Sequence, residues 1–235
     1  MTLSGKSVLI IRTEPGAALS AGRVRQFGLE PIVLPAATAI PTHAKFDHTN
    51  VQAILATSSN APRLADFCPE AFHIPVYAVG DATAESAQKV GFETVISAGG
   101  DASALAVLVA DRLNKKDGAL LHLRGTEVAG DVTGFLSACG FETRMQIVYE
   151  TIENPEFKIK LPQILADYSG SVLFHSPKGA QRFSKAAQNI ELQNWRAIGI
   201  SSAAVAPIDH EKWHWARIGF AKAPIEESLL ELLTQ

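Results

Sequence analysis

Short apolar runs alternate with longer amphipathic stretches along the whole chain. Each run is bounded by Gly, Pro or polar residues, which is the pattern of a buried strand. The runs predict strands at 7–12, 30–35, 52–57, 75–79, 93–97, 118–124, 142–149, 170–175, 195–199 and 216–221. Apolar residues at helical spacing predict helices at about 16–27, 60–68, 82–90, 102–114, 126–139, 178–188, 202–209 and 225–234. Continuous apolar strands separated by helices favour parallel sheets covered on both faces, so the predicted fold class is α/β.

The two halves of the chain repeat the same order of features. The matched pairs are Arg12 and Arg124, Ser58 and Ser176, and Gly80 and Gly199, with separations of 112, 118 and 119 residues. A nearly constant separation favours duplication of an α/β unit of about five strands. The alternative is the general likeness of parallel α/β proteins. Residues 150–162, rich in Pro and charge, are predicted to form a connection that crosses between domains.

Composition narrows the class of protein. The chain has 235 residues, of which 47% are hydrophobic and 19% charged, so it can bury a large core. Its net charge is −3, and its sequence has no run of basic residues, which argues against a nucleic-acid partner. The first apolar run, 8–11, is far too short for a signal peptide or a membrane span, so we expect no membrane association and a cytoplasmic location. Cys68 and Cys139 lack metal-ligand spacing and are expected to be buried free thiols in preference to a disulfide.

Nine segments together resemble one known family. They are LIIRTEPG, GLEPIVLP, ILATSSNA, VYAVGDATA, LLHLRG, MQIVYET, LFHSPKGAQRF, AIGISSAA and WARIGFAKAPIEESLLELL. Their order and spacing resemble the uroporphyrinogen-III synthase family over nearly the whole chain. The resemblance implies two similar flavodoxin-like α/β domains joined by two crossing segments. It assigns residues 1–37 and 150–235 to one domain and 38–149 to the other, which is inserted.

The resemblance also implies an activity. The family is a lyase that cyclises hydroxymethylbilane, a linear tetrapyrrole, to uroporphyrinogen III, with loss of water and inversion of the last pyrrole ring. It implies no metal and no organic cofactor. It further implies a monomer, and it allows delivery of the substrate by the upstream synthase of haem biosynthesis.

Such a substrate carries a carboxylate on every acetate and propionate arm, so its site needs many hydrogen-bond donors. Parallel sheets provide them beyond the carboxyl ends of their strands, where helices begin. On this basis the expected substrate-binding residues are Arg12, Ser58, Ser59, Gly80, Thr83, Arg124, Ser176, Lys178, Gly199, Ser201 and Ser202. Arg182 is a further candidate cation. The alternative is that the hydroxyl groups only cap helices and that the cations are solvated surface groups.

Tyr149 is the expected catalytic residue, because it lies at the position of the family's tyrosine. Its hydroxyl would assist departure of the substrate's hydroxyl group, either as an acid or as a positioning group. The alternative is a tyrosine packed at a domain seam. Departures from the family pattern are His175 in place of a threonine, Ser201 and Ser202 where a Thr pair is common, and the segment from Trp213 to Trp215.

Two other classes of function stay open. One is a non-catalytic, two-lobed binding protein for a tetrapyrrole or a polycarboxylate. The other is a zinc hydrolase, because residues His210 to His214 match H-E-x-x-H. That motif needs a continuous helix and a third ligand, whereas Pro207 lies just upstream and a predicted strand follows closely.

Overall fold

The computed structural model describes residues 6–14, 16–127, 130–208 and 214–234. The strands are β1 (Ser7–Ile10), β2 (Glu30–Val33), β3 (Ala37–Pro41), β4 (Val51–Ala56), β5 (Val76–Ala78), β6 (Val95–Ser97), β7 (Ala119–Gly125), β8 (Thr143–Glu153), β9 (Gly170–Phe174), β10 (Trp195–Gly199) and β11 (Arg217–Phe220). The helices are α1 (Gly16–Gln26), α2 (Asn60–Leu64), α3 (Asp81–Val90), α4 (Ala102–Arg112), α5 (Val132–Ala138), α6 (Pro155–Asp167), α7 (Pro177–Ala186), α8 (Ser202–Val205) and α9 (Glu226–Glu231). Short 3-10 helices lie at Pro69–His73, Ala206–Ile208 and Leu232–Thr234.

The chain divides into two compact units. Unit 1 comprises Met1–Thr38 and Ile152–Gln235, and unit 2 comprises Ala39–Thr151. Each unit holds one sheet, with strand order β2-β1-β9-β10-β11 in the first and β3-β8-β7-β4-β5-β6 in the second. Apart from β3, neighbouring strands in both sheets pair in parallel. The prediction of a mixed α/β chain with parallel sheets flanked by helices is confirmed.

The strand order explains the internal repeat. If β1 is matched with β7, β2 with β8, and β9, β10 and β11 with β4, β5 and β6, the two sheets have the same order of matched strands. Each predicted pair of residues then lies at the carboxyl ends of a matched pair of strands. Unit 1 therefore combines the first two strands of one repeat with the last three of the other, and unit 2 combines the remaining five.

Both faces of each sheet are buried. Alternate residues of β1 point to opposite faces: Leu9 joins one hydrophobic cluster, whereas Val8 and Ile10 join the other. In unit 2, Leu120 and Leu121 of β7 divide between two clusters in the same way. Burial on both faces is why these strands read as continuous apolar runs instead of alternating patterns.

Residues 150–162 were predicted as a connection between domains, and the chain passes from unit 2 to unit 1 within them, but they form a strand end and a helix and not a linker. Residues up to Glu153 belong to β8, and α6 begins at Pro155. The side chain of Asn154 accepts a hydrogen bond of 3.1 Å from the Glu156 N–H, and proline is well suited to the first helical position because it has no N–H to satisfy. Prolines that suggested a linker therefore sit at the start of a helix and, at Pro162, inside it.

The short strand β3 was not predicted at all. It pairs with β8 at the edge of the second sheet. Hydrogen bonds join Thr42 to Val148 and Asn154 to Ala36, at 3.0 and 3.1 Å, so the two strands run antiparallel. Both strands cross the boundary between the two units. No helix in the described part of the chain is long and apolar enough to cross a membrane.

Candidate active site at the carboxyl edges of the sheets

The parallel strands of unit 1 end at one edge of their sheet. Ile10 of β1 is level with Leu173 of β9, which is level with Ile198 of β10. The residues that follow these strands therefore come together at this carboxyl edge. They include the predicted residues Arg12, Ser176, Lys178, Ser201 and Ser202, and the predicted Gly199 is the last residue of β10.

Two of the predicted serines cap helices. The Gly179 N–H donates to Ser176 Oγ at 3.1 Å, and the Ala204 N–H donates to Ser201 Oγ at 3.3 Å. A hydroxyl that accepts from the backbone keeps its own hydrogen as a donor. Capping therefore fixes the position of each serine and still leaves an O–H that can point to a ligand. Ser202, in the first turn of α8, is exposed.

Arg12 is held by an acidic side chain from the far end of the chain. Its Nη1 lies 2.7 Å from Glu226 Oε2 and 3.3 Å from Ser20 Oγ, and Ser20 Oγ donates to Glu226 Oε1 at 2.5 Å. The rest of the guanidinium packs on Gly16, where a Cβ would lie 2.5 Å from Arg12 Nε. This cation is therefore largely committed to linking β1, α1 and α9, and it is 31% exposed.

The same carboxylate binds His175. His175 Nε2 lies 3.2 Å from Glu226 Oε2, and the imidazole is 7% exposed. Burial lowers the pKa of His175 below its ordinary 6.5, although the hydrogen bond to Glu226 opposes this effect. We assign the neutral imidazole with its proton on Nε2. Nδ1 is then an acceptor, and it has no hydrogen-bond partner within the described residues.

Glu226 is ionised despite its burial. Burial alone would raise its pKa, but the hydrogen bonds from His175 and Ser20 and the charge of Arg12 outweigh that effect and lower the pKa to about 2. The sequence predicted Arg12 as a binding residue and noted His175 only as a departure from the family pattern, and it missed Glu226 and Ser20. No local signal marks Glu226, because it follows Arg12 by 214 residues.

The carboxyl edge of unit 2 is built from β4, β5 and β7. Ala56 is level with Ala78 and with Leu123, so Ser58, Gly80 and Arg124 all lie at this edge. Ser58 Oγ accepts a 3.2 Å hydrogen bond from the Asn60 N–H, which again leaves its O–H as a donor. Ser59 uses its carbonyl to accept from Ser86 Oγ at 2.8 Å.

Helix α3 begins at this edge, directly after Gly80. The N–H groups of Thr83 and Ala84 bond to the Gly80 carbonyl at 3.1 and 3.0 Å. Within the described residues, the N–H groups of Asp81 and Ala82 are left for a ligand or water. The Asp81 carboxylate accepts from Ser97 Oγ at 2.6 Å. The side chain of Thr83 is only 5% exposed, which keeps its hydroxyl from a ligand at the surface.

The two predicted glycines differ in their surroundings. A Cβ on Gly199 would lie 2.6 Å from Val205 Cγ1, so packing inside unit 1 demands glycine. A Cβ on Gly80 would meet nothing nearer than the Gly100 carbonyl oxygen at 3.9 Å among the described residues. The fold of unit 2 therefore does not require glycine at position 80.

Tyr149 lies beside the carboxyl end of β7. In the parallel register, Gly125 is level with Tyr149, after an irregularity at Arg124. The tyrosine is 7% exposed, and its ring packs on the α-carbon of Gly125, where a Cβ would lie 2.5 Å from Cε2 and Cζ. Its hydroxyl makes no hydrogen bond with the described residues. Gly125 was not predicted, although it is the reason that the ring fits.

His122 is a buried histidine that no pattern in the sequence singles out. It is 2% exposed, and its Nε2 lies 3.0 Å from Thr57 Oγ1. Burial, together with the charge of Arg124, lowers the pKa of His122 to about 4. His122 is therefore neutral at pH 7, and it orients the Thr57 hydroxyl at the carboxyl end of β4.

The remaining predicted cations are partly engaged by the protein. Arg124 donates to the carbonyl oxygens of Gly125 and Thr126, at 3.0 and 3.2 Å. Arg182 is 14% exposed and pairs with Glu153, at 3.8 Å. Lys178 lies in the first turn of α7 and is half-buried. Residues 210 to 213 of the H-E-x-x-H segment lie outside the described residues.

Parallel α/β sheets with serines, glycines and helix starts gathered at their carboxyl edges are typical of enzymes that bind small anionic molecules there. A family model described as uroporphyrinogen-III synthase HemD matches residues 19–231. The chain belongs to this family, whose members are lyases of tetrapyrrole biosynthesis. No individually curated protein matches the chain.

Solved structures show the same fold. A uroporphyrinogen-III synthetase from Helicobacter pylori is similar, with 18% sequence identity, 97% of each chain covered and a TM-score of 0.64. A mutant uroporphyrinogen III synthase from the extremely thermophilic bacterium Thermus thermophilus is similar at 12% identity, with 96% of each chain covered and a TM-score of 0.56. At these identities the likeness concerns the fold alone.

Proposed function

We propose that the carboxyl edge of each unit binds acetate and propionate groups of hydroxymethylbilane while the enzyme cyclises this substrate to uroporphyrinogen III. The binding groups would be the O–H groups of Ser58, Ser176 and Ser201 and the first N–H groups of α3. Their hydrogen-bond partners inside the protein support this role, because a backbone N–H fixes each serine oxygen and leaves its hydrogen available. Lys178 and Arg124 would supply positive charge.

The proposal also covers the domain architecture. Units 1 and 2 would be two similar flavodoxin-like domains, with 1–37 and 150–235 in one and 38–149 in the other. The strand order of unit 1 supports this. If its five strands are numbered 1 to 5 in chain order, they lie in the order 2-1-3-4-5 across the sheet, which is the order of the flavodoxin-like fold. Strands β3 and β8, which cross the boundary, would be the two crossing segments.

Tyr149 is the proposed catalytic residue. In the reaction the bond between the terminal carbon and its hydroxyl oxygen breaks, and the oxygen leaves as water after taking up a proton. The substituted α-carbon of the last ring attacks the azafulvene cation that remains, which gives a spiro intermediate. The original bond from that carbon to its methylene bridge then breaks, and the methylene bonds to the free α-carbon, which loses the proton that balances the one taken up by the leaving oxygen. The Tyr149 O–H would donate the hydrogen bond that assists departure of the hydroxyl. The observation that carries this role is a buried ring locked on Gly125 at the carboxyl edge, with a hydroxyl that no described residue engages.

The test is Tyr149→Phe, assayed with hydroxymethylbilane and separation of the I and III isomers. We expect kcat for the III isomer to fall about 10- to 100-fold with a small change in KM, because a phenol contributes mainly by position. Tyr77→Phe is the matched control, since Tyr77 is 6% exposed in the same unit and lies in the core. Wild-type kcat in Tyr149→Phe would refute the catalytic role. Formation of only the spontaneous I isomer by the wild type would instead indicate a binding protein.

A further inference from the structure

Three side chains with metal-binding atoms meet on unit 2, away from its carboxyl edge. They are His48, in the loop between β3 and β4, and Cys68 and Glu70, at the start of the 3-10 helix Pro69–His73. A ring nitrogen, the sulfur and a carboxylate oxygen all lie within 4.8 Å of one another. In sequence, His48 and Cys68 are 20 residues apart and match no metal-binding spacing.

The two segments that carry these side chains are held together by packing. Phe46, two residues before His48, contacts Phe67, the neighbour of Cys68, edge to face with ring centroids 5.5 Å apart. Phe67 also contacts Phe92, with centroids 4.7 Å apart. Hydrogen bonds from the Val51 N–H to the His48 carbonyl and from the Ala71 N–H to the Cys68 carbonyl, at 3.3 and 3.1 Å, fix both backbones. The aromatic packing brings the potential ligands together without any metal.

The spacing suits a tetrahedral ion. Zinc bonds of about 2.3 Å to sulfur and about 2.0–2.1 Å to nitrogen place the two ligand atoms about 3.5 Å apart. Cys68 Sγ lies 3.7 Å from His48 Nδ1 and 3.8 Å from Nε2. Because the sulfur is almost equally far from both nitrogens, the imidazole must rotate about its Cβ–Cγ bond to direct one lone pair at the metal. His48 is half-buried, as is Cys68, so its imidazole has room to rotate. Glu70 is exposed, so its carboxylate can make a short movement inward.

The donor set also selects the metal. A thiolate, an imidazole and a carboxylate favour zinc over magnesium or calcium, which prefer oxygen ligands alone. We propose that His48, Cys68 and Glu70 bind one Zn²⁺ at the amino edge of unit 2, with water as the fourth ligand. Binding would convert the Cys68 thiol to a thiolate and release one proton for each ion bound.

The position of this site gives it a structural role. His48 lies just before β4, and the 3-10 helix ends just before β5, so the ion would sit where these strands begin. The predicted substrate-binding residues Ser58 and Gly80 follow the same two strands at their other ends. The ion would therefore link the loop at 42–50 to the 3-10 helix, and ring closure would not depend on it.

The experiment is a titration of the full-length, chelator-treated protein with Zn²⁺ by calorimetry and with Co²⁺ by absorption spectroscopy. We expect one equivalent to bind, with a sulfur-to-cobalt charge-transfer band and a rise in Tm. Cys68→Ser should abolish the band and weaken Zn²⁺ binding about 100-fold, and His48→Gln should weaken it similarly. The matched controls are Cys139→Ser, which alters the other free thiol of unit 2, and His43→Gln. Both should bind as the wild type does.

Two results would overturn the proposal. One is the absence of saturable binding in the wild type. The other is binding that is unchanged in Cys68→Ser, which would place the metal on other residues, the segment from His210 to His214 included. Activity with hydroxymethylbilane should be the same with and without one equivalent of Zn²⁺, so this outcome is separate from the test of Tyr149.

Discussion

Replacement of Glu226 by Gln tests the buried network beneath the carboxyl edge of unit 1. Gln has the same shape but carries no charge, so Arg12 loses its anionic partner at 2.7 Å. The Glu226 side chain is 9% exposed, and its pKa falls from an ordinary 4.5 to about 2. At about 1.4 kcal/mol for each pH unit, this difference corresponds to at most about 3.5 kcal/mol of the free energy of unfolding. Because Arg12 is nearly a third exposed and Gln keeps some hydrogen bonds, we expect a loss of about 2–3 kcal/mol at pH 7.

The pH dependence has a definite sign. The pKa of Glu226 is lower in the folded protein than in the unfolded chain, so its contribution is complete above pH 4.5 and is lost as the pH falls towards 2. The difference between wild type and variant should therefore be largest near pH 7 and shrink below pH 4.5. Urea denaturation at a series of pH values measures it.

The adjacent residue supplies a matched control for this experiment. Glu227 lies on the same helix, is 66% exposed and stands 3.5 Å from Arg23. Glu227→Gln should change the free energy of unfolding by less than about 1 kcal/mol, because exposed ion pairs contribute little. If Glu226→Gln behaved like Glu227→Gln at pH 7, or if its deficit grew as the pH fell, the argument for a buried ionised carboxylate would be refuted.

Two further predictions concern the carboxyl edges. The pKa of His122 is lowered from 6.5 to about 4, so as the pH falls from 6.5 to 4 the wild type should lose up to about 3 kcal/mol of unfolding free energy through this group. His122→Asn should flatten that slope in urea denaturation, and an unaltered slope would contradict the assignment. Gly80→Ala should keep wild-type stability and raise KM for hydroxymethylbilane about tenfold, because its methyl group enters space that only a ligand would use. Gly199→Ala should instead lose about 1–3 kcal/mol of stability through overlap with Val205, and the opposite pattern in the two variants would disprove the distinction.

Local order along the chain could be predicted well from particular residues. The apolar run that begins at Ser7 forms a buried strand, and the helix predicted from residue 82 begins at Asp81. Both predictions succeed because the starts of strands and helices depend on neighbours within a few positions. The same logic failed at α6, where Asn154 and Pro155 form a helix start that resembles a linker in composition. It also missed β3, a five-residue edge strand whose partner lies about 100 residues further along the chain.

The internal repeat shows the limit of sequence comparison. Matched pairs such as Ser58 and Ser176 indicate two copies of one pattern, but their spacing does not say which strands share a sheet. The strand pairing instead places β1 beside β9 and β4 beside β7, so each sheet contains strands from both copies. Spacing along the chain carries no information about this exchange, because either arrangement buries the same apolar residues.

The pattern of residues predicted the fold class and the small polar groups at strand ends, and the resemblance of nine segments indicated the family, since each depends on short segments and their order. Tertiary packing decided which side chains meet. Glu226 reaches Arg12, Tyr149 rests on Gly125, and His48 approaches Cys68, through contacts that join segments distant in the chain. The physical reason is that local propensity acts over a few residues. Which residues become partners across a sheet or between loops depends on how the whole fold buries its apolar surface.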